Sequence, residues 1–175
     1  MELGRGRSLI ARMQGASLLK VDVYEEVEAD ATATGQAAVV VGLVAIASAI
    51  GGAQAGATGF FVGLIAAYVG WLLWSAVTYV IGDKLLGGTA TWGELLRTLG
   101  FAQSPGVLYV LAVIPLLGWL VRLVVAIWVL IAGIIAIRQA LDFSTGRAIL
   151  TAVLGWIAYL ILGAVLMGVA GVMVP

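Results

Sequence analysis

The order of apolar and charged positions divides the chain into a polar beginning and a long apolar remainder. No charged side chain occurs between Asp30 and Asp83, from Thr98 to Val121, or after Arg147. A hydrocarbon layer about 30 Å thick is crossed by about 20 residues of α-helix, so the first of these stretches has room for two crossings and a connection. The pattern therefore predicts an integral membrane protein.

Five membrane crossings are expected in a domain that covers residues 35–175. Their approximate bounds are 36–54, 60–82, 101–117, 119–138 and 148–172. The third is the least regular, because it contains Pro105 and Pro115 and proline removes a backbone donor from a helix. Either the preceding helix continues through a kink at Pro105, or neighbouring helices help the segment to cross.

A short amphipathic helix is predicted between the second and third crossings. Thr91 and Glu94 have the spacing of a capping box, which marks a helix start. The apolar positions that follow share one face: Trp92, Leu95, Leu96 and Leu99. We expect this helix, over Thr91–Gln103, to lie at the cytoplasmic interface. The expected fold class is therefore an all-α integral membrane protein with five transmembrane helices and one cytoplasmic amphipathic interfacial helix.

Residues 1–34 are expected to form a cytoplasmic N-terminal segment. Over residues 5–20 the apolar and basic positions fit a short helix on an anionic membrane surface, and they fit a solvated tail equally well. Asp22 and Glu25 have the spacing of a helix-capping pair, which predicts a short helix over residues 23–30.

The basic residues predict an orientation in the cell membrane. Five crossings place residues 1–34, 83–99 and 138–147 on one side, and these segments carry eight of the nine Lys and Arg residues. The positive-inside rule then places the N-terminus in the cytoplasm and the C-terminus outside. Arg122, on the other side, is expected to extend from the fourth crossing toward the headgroups.

Composition argues against catalysis. The chain contains no His and no Cys, which removes imidazole bases, thiol nucleophiles and the usual zinc ligands. It has no Gly-x-Ser-x-Gly element and no phosphate-binding glycine loop that ends in Lys-Ser/Thr. We therefore expect no enzyme, no catalytic, cofactor-binding or metal-binding residues and no cofactor. The absence of ionisable residues at mid-membrane also argues against an ion-coupled transporter.

Small residues recur at four-residue spacing in the apolar segments. They form three sets: Gly52 and Gly56; Gly59, Gly63 and Ala67; and Ala132, Ala136 and Ala140. Such positions let the backbones of membrane helices approach closely. Two interpretations stay open: the residues pack helices within the chain, or they form a face that binds a partner protein.

Three short elements resemble a known family. They are Gly-Gly-x-x-Thr at 87–91, Gly-Phe-Ala-x-x-Pro at 100–105 and Arg-Gln-Ala-Leu-Asp at 138–142. The residues that carry the resemblance most specifically are Gly100, Phe101, Ala102, Pro105 and, farther on, Pro115. Over roughly residues 20–170 the chain resembles a prokaryotic member of the Yip1-domain family. The resemblance implies five membrane-spanning helices and a cytoplasmic N-terminus.

The family also bears on function. Its eukaryotic relatives act in vesicle trafficking with prenylated small GTPases, but the chain lacks their Asp-Leu-Tyr-Gly-Pro signature. We expect a non-enzymatic multi-pass membrane protein that acts through protein–protein association or membrane organisation. Its expected partners are membrane lipids and other membrane proteins or a second copy, with no nucleic acid. The alternatives are an accessory subunit of a larger membrane complex and a channel or carrier for an uncharged solute.

Overall fold

The computed structural model describes residues 6–52 and 56–173, and every regular element in these two ranges is helical. The α-helices are α1 (Leu9–Ser17), α2 (Val21–Ala29), α3 (Ala33–Gly51), α4 (Gly56–Tyr79), α5 (Trp92–Ala102), α6 (Gly118–Ala140) and α7 (Thr145–Met173). A π-helical stretch, Val80–Leu85, extends α4, and a 3₁₀ helix, Ser104–Val113, follows α5.

Four helices in the described ranges are long and apolar enough to cross a membrane. They are Ala33–Gly51, Gly56–Leu85, Gly118–Ala140 and Thr145–Leu162. Each overlaps one of the predicted crossings, and the largest difference is at the last, which was predicted to end at residue 172. The first crossing was expected to end at residue 54, which lies outside the described residues.

The bundle buries small residues and exposes large apolar ones. Ala33, Ala37 and Ala132 are fully buried, whereas Phe61 and Ile65 are 59% and 64% exposed. In lipid this arrangement is favourable, because hydrocarbon solvates a large apolar side chain about as well as another side chain does. Close backbone approach at small residues therefore supplies the contacts that hold the helices together.

The segment predicted as the third crossing, residues 101–117, does not form a single α-helix, and it is not among the four helices above. The α-helix ends at Ala102 and the chain continues as the 3₁₀ helix, with Pro105 near its start, where the missing N–H has no helical partner to lose. Pro115 lies beyond the end of this helix, in the exposed link to α6. The chain thus remains helical past Pro105, as a 3₁₀ helix and not as a kinked α-helix, and the crossing itself stays a prediction.

The α5 helix and the 3₁₀ helix together run alongside α3 in the same direction. Gly100 packs against Ala37, Gly106 against Val44, and the backbone of Tyr109 against Gly51. These three contacts follow the same order along both segments. The two short helices thus form one broken helix, and its part from Gly100 to Tyr109 lies along α3 from Ala37 to Gly51.

A helix forms where the amphipathic interfacial helix was predicted, and it is more buried than its sequence pattern suggests. The capping box is confirmed: Glu94 N–H donates to Thr91 Oγ1 at 3.3 Å, and Thr91 N–H donates to Glu94 Oε2 at 2.7 Å. From Leu95 to Ala102, however, every residue is buried. Arg97 is 8% exposed and Thr98 is fully buried, so the helix has no solvated polar side after its first turn. It lies among α2, α3, α4 and α6.

The N-terminal residues form a helical hairpin that packs on the bundle. Ser8 caps α1, and Gly15 of α1 meets Val23 of α2 so closely that an added Cβ would lie 2.5 Å from the valine. A helix is therefore present in this segment and the solvated tail is wrong, while the position of the helix on a membrane surface stays a prediction. The predicted start of α2 is also wrong, because the helix begins before Asp22, which makes no capping bond.

Donors from distant helices meet the carbonyl groups at the end of this hairpin. Trp128 Nε1 of α6 donates to the oxygen of Ser17, the last residue of α1, at 2.7 Å. Arg97 Nε donates to the oxygens of Val27 and Glu28, in the last turn of α2, at 2.9 and 3.1 Å. The last carbonyls of a helix have no partner within it, so these bonds satisfy them and fix the hairpin in place.

The next two helices end in the same way. An Nη of Arg122 in α6 donates to the oxygen of Gly51, the last residue of α3, at 2.8 Å. Arg147 of α7 donates to the oxygen of Leu86, directly after the π-helical stretch. A guanidinium group at a helix C-terminus also interacts favourably with the helix dipole.

Replacing Gly51 with Ala should destabilise the protein, because the added methyl group overlaps the main-chain oxygen of Tyr109. Overpacking of this kind costs about 1–3 kcal/mol. The loss is measured as a lower midpoint of denaturant unfolding in detergent, followed by tryptophan fluorescence.

Gly35→Ala is the matched control. An added Cβ at Gly35 meets no atom within 4 Å, and Ala favours a helix over Gly by about 1 kcal/mol. This variant should be at least as stable as the wild type. Equal stability of the two variants would contradict the close contact between α3 and the 3₁₀ helix.

Candidate functional site

A cluster of charged side chains joins α1, α2 and the start of α3. Arg12 is 2% exposed and forms ion pairs with Glu26 at 3.0 Å and with Asp30 at 2.6 Å. It also donates to Gln36 Oε1 at 2.9 Å. A buried guanidinium is tolerated only when it is paired and hydrogen-bonded. This cluster therefore has a structural role that accounts for its charges.

The carboxylates of this cluster are held ionised. Hydrogen bonds from Thr32 and Arg12 lower the pKa of Asp30 to about 2. Burial alone would raise the pKa of Glu26, but hydrogen bonds from Arg7 and Arg12 outweigh it and the pKa is lowered. Neither group has the raised pKa of a general acid that operates near neutral pH.

Glu28 is the carboxylate with the opposite behaviour. Burial, together with the nearby charges of Glu94 and Asp142, raises its pKa to about 7, and Arg97 offsets only part of this effect. Within residues 6–52 and 56–173, no group of three or more acidic side chains is arranged to hold a metal ion. We therefore interpret Glu28 as a pH-sensitive structural group.

The second candidate is a groove between α3 and α4. It encloses a cavity of about 500 Å³. The lining residues are Val41, Val44, Ala45, Ser48 and Ala49 of α3, Gly59, Phe60, Gly63 and Ala67 of α4, and Gln103, Tyr109 and Val129. We call this feature the α4 groove. Its lining is apolar apart from Ser48, Gln103 and Tyr109, so it can accept an apolar chain.

Two further cavities adjoin the α4 groove. One, of about 290 Å³, shares Gln103 and Val129 with it and extends toward Trp74. The other, of about 410 Å³, shares Ser48 and Tyr109 with it. The remaining lining residues of this third cavity are Gly51, Ala112, Arg122 and Ala126. The three spaces together follow the length of the bundle between α3, α4 and α6.

The structure separates the small residues that the sequence grouped together. Ala132, Ala136 and Ala140 are buried in contacts of α6. In α4, Gly59, Gly63 and Ala67 line the groove. A Cβ added at Gly59 or Gly63 would meet no atom within 4 Å. The alanines of α6 thus pack within the chain, and the glycines of α4 leave space.

The first two positions of the set lie at the connection between α3 and α4. Gly52 follows the last residue of α3 and donates its N–H to the oxygen of Ser48 at 2.8 Å. Gly56 begins α4 with a φ of +72°. This left-handed conformation favours glycine and accounts for that residue without a partner protein.

Most close contacts between helices are made by glycines outside the predicted small-residue sets. Gly42 lies beneath the hydroxyl of Tyr68, 2.6 Å from where its Cβ would be, and this hydroxyl donates to the oxygen of Ala38 at 3.1 Å. Gly82 packs against Leu141. Neither glycine was among the small residues that the sequence pattern singled out, although Ala38 precedes Gly42 by four residues.

The comparison with protein families decides what this bundle is. A profile of the Yip1 domain matches residues 21–167, which is most of the chain. The chain belongs to the Yip1-domain family. Together with the apolar helices, this match identifies a multi-pass membrane protein. The comparisons with curated proteins and with solved structures gave no significant match.

Four of the residues on which the family resemblance rests lie together at one place in the structure. Gly100 lets α5 approach α3, because a Cβ there would lie 2.7 Å from Ala37. The other motif residues of this segment, Phe101, Ala102 and Pro105, are buried at the break between α5 and the 3₁₀ helix. These residues thus lie where α5 ends and the 3₁₀ helix begins. The matched region begins at the first residue of α2, so α1 lies before it.

The raised pKa of Glu28 predicts that stability falls as pH increases toward neutrality. Because the pKa rises from 4.5 in an ordinary Glu to about 7 in the folded protein, the folded state binds the proton more tightly than the unfolded chain. Its stabilising effect is complete below the ordinary pKa and is lost as pH rises through about 7. Thermal unfolding in detergent between pH 5 and 8 measures this trend.

Glu28→Gln should flatten that pH dependence, because the amide does not titrate. Asp83→Asn is the control, since Asp83 does not contribute to the pKa of Glu28. A Glu28→Gln protein with the wild-type trend would show that another group is responsible.

Proposed function

We propose that this Yip1-domain protein is non-enzymatic and acts by association within the bilayer. Its partners are membrane lipids and other membrane proteins or a second copy, and through them it organises the membrane. The observation that supports this proposal is the open face of α4. Only 11% of the apolar window of α4 is buried, against 39% for α3. Gly59 and Gly63 on that helix face unfilled space.

An open glycine face has a physical meaning in a membrane. Helices associate there through van der Waals packing, so a ridge of small residues is useful only where another group can approach it. In α6 the alanines of the repeat are buried against neighbouring residues. In α4 a Cβ added at Gly59 or Gly63 would meet no atom within 4 Å. This difference favours an external occupant over internal packing.

We also propose five crossings, the third made of α5 and the 3₁₀ helix. The 11 residues of α5 and the 10 of the 3₁₀ helix rise about 36 Å in total, which exceeds the hydrocarbon thickness of about 30 Å. Their alignment with α3 supports this reading. The charged cluster around Arg12 then faces the cytoplasm of a cell membrane, and Arg122 lies near the opposite surface.

Reporters fused to the two ends test this topology. We expect an N-terminal reporter to be active only in the cytoplasm and a C-terminal reporter to be active only on the far side. The physical reason is the odd number of crossings combined with the cation-rich end at α1 and α2. Two ends found in one compartment would contradict the proposal.

The double substitution Gly59→Leu and Gly63→Leu tests the association. The two side chains fill the α4 groove, so proteins that co-purify in mild detergent should fall several-fold in amount. The measurement is quantitative mass spectrometry of the purified complexes. Gly35→Leu is the control, because it adds the same side chain at another position with no atom within 4 Å.

Recovery that is unchanged in the double variant would exclude the α4 groove as the protein contact. A particle of fixed composition in the wild type would instead favour the alternative of an accessory subunit in a larger membrane complex.

A further inference from the structure

One end of the α4 groove is built around a charged side chain. Arg122 lines the adjoining cavity of about 410 Å³ with Ser48 and Tyr109. One Nη donates to the oxygen of Gly51 at 2.8 Å. A guanidinium has five N–H donors, so this bond leaves others available. None of the ion pairs in the described ranges includes Arg122.

The groove leads from this charge into an apolar space of limited depth. Along α3 its lining extends from Gly51 to Val41, which is about 15 Å at the rise of an α-helix. That length is half of a hydrocarbon layer about 30 Å thick. The groove thus has a cation at one end and an apolar wall about half a bilayer deep. Its depth matches the thickness of one leaflet.

We propose that the α4 groove holds an acyl chain of an anionic phospholipid whose headgroup binds Arg122. The phosphate oxygens accept hydrogen bonds from the guanidinium, and Ser48 and Tyr109 line the same cavity. The chain lies against Gly59 and Gly63, where the absence of side chains leaves room. The lipid comes from the leaflet opposite the Arg12 cluster.

Two observations favour this occupant over others. The residues that line the groove and the Arg122 cavity include no acidic side chain, so nothing there would balance the ammonium group of a zwitterionic lipid. A partner helix is about 10 Å across, and α3 and α4 are already joined at Gly42 and Tyr68. The groove therefore admits a chain more readily than a helix.

This inference rests on the proposed function only in treating the α4 groove as a binding surface, and lipids alone can test it. The full-length protein is placed in nanodiscs of equal parts phosphatidylglycerol and phosphatidylcholine. Native mass spectrometry then identifies the lipids that stay bound. We expect phosphatidylglycerol to be enriched on the wild type. Arg122→Gln should reduce that enrichment by about tenfold, as expected for the loss of a charge-assisted contact.

Three further variants complete the test. Arg138→Gln removes a cation at the other end of α6 and should keep the enrichment. Arg122→Lys keeps the charge and should retain a preference for phosphatidylglycerol even if the Gln variant folds poorly. Gly63→Leu fills the groove and should lower the amount of both lipids.

Wild-type enrichment in Arg122→Gln, or wild-type retention in Gly63→Leu, would overturn the lipid site. If Arg122→Gln loses lipid selectivity while the double variant of Gly59 and Gly63 recovers partner proteins unchanged, the protein contact is contradicted and the lipid site is supported. If Arg122→Gln keeps lipid selectivity while the double variant loses partner proteins, only the lipid site is contradicted.

Discussion

The carbonyl groups at helix ends are the constraint on which the rest of this structure depends. A buried carbonyl without a hydrogen-bond partner costs free energy, whether protein or hydrocarbon surrounds it. From α1 to the end of the π-helical stretch, each helix end receives a hydrogen bond from another helix. The donors are Trp128, Arg97, Arg122 and Arg147. These bonds join segments that are far apart in sequence, and so they determine which helices are neighbours.

The broken central helix and the α4 groove follow from this arrangement. The hydrogen bond of Arg97 holds α5 against the end of α2, inside the bundle. The chain then continues as a 3₁₀ helix that packs beside α3. Small residues allow that approach: Gly100, Gly106 and Gly51 each meet a neighbour that a side chain would displace. Gly59 and Gly63, in the N-terminal half of α4, have no comparable contact, and the α4 groove lies beside them. Glycine thus allows close packing in α3, in α5 and in the 3₁₀ helix, whereas in α4 Gly59 and Gly63 leave open space.

Sequence patterns predicted the helices well and their surroundings poorly. The capping box of Thr91 and Glu94 placed α5 within a residue of its start, because capping depends on local hydrogen bonds. The same pattern suggested a polar face around Arg97, which is buried because the end of α2 lies there. Arg122 was expected to extend toward headgroups; it is exposed, but it also bonds to Gly51. A contact between residues so far apart leaves no trace in local spacing.

The sequence by itself determined that this chain consists of apolar helices and belongs to the Yip1-domain family. Those properties depend on composition, periodicity and short motifs, which act over a few residues. Only the tertiary structure decided that the N-terminal hairpin packs on the bundle and that α5 lies at its centre. It also decided that the small residues of α6 are buried in contacts, whereas Gly59 and Gly63 of α4 have open space beside them. In a chain where most residues are apolar, hydrophobicity cannot choose among neighbours. Shape and the few available hydrogen-bond donors make that choice.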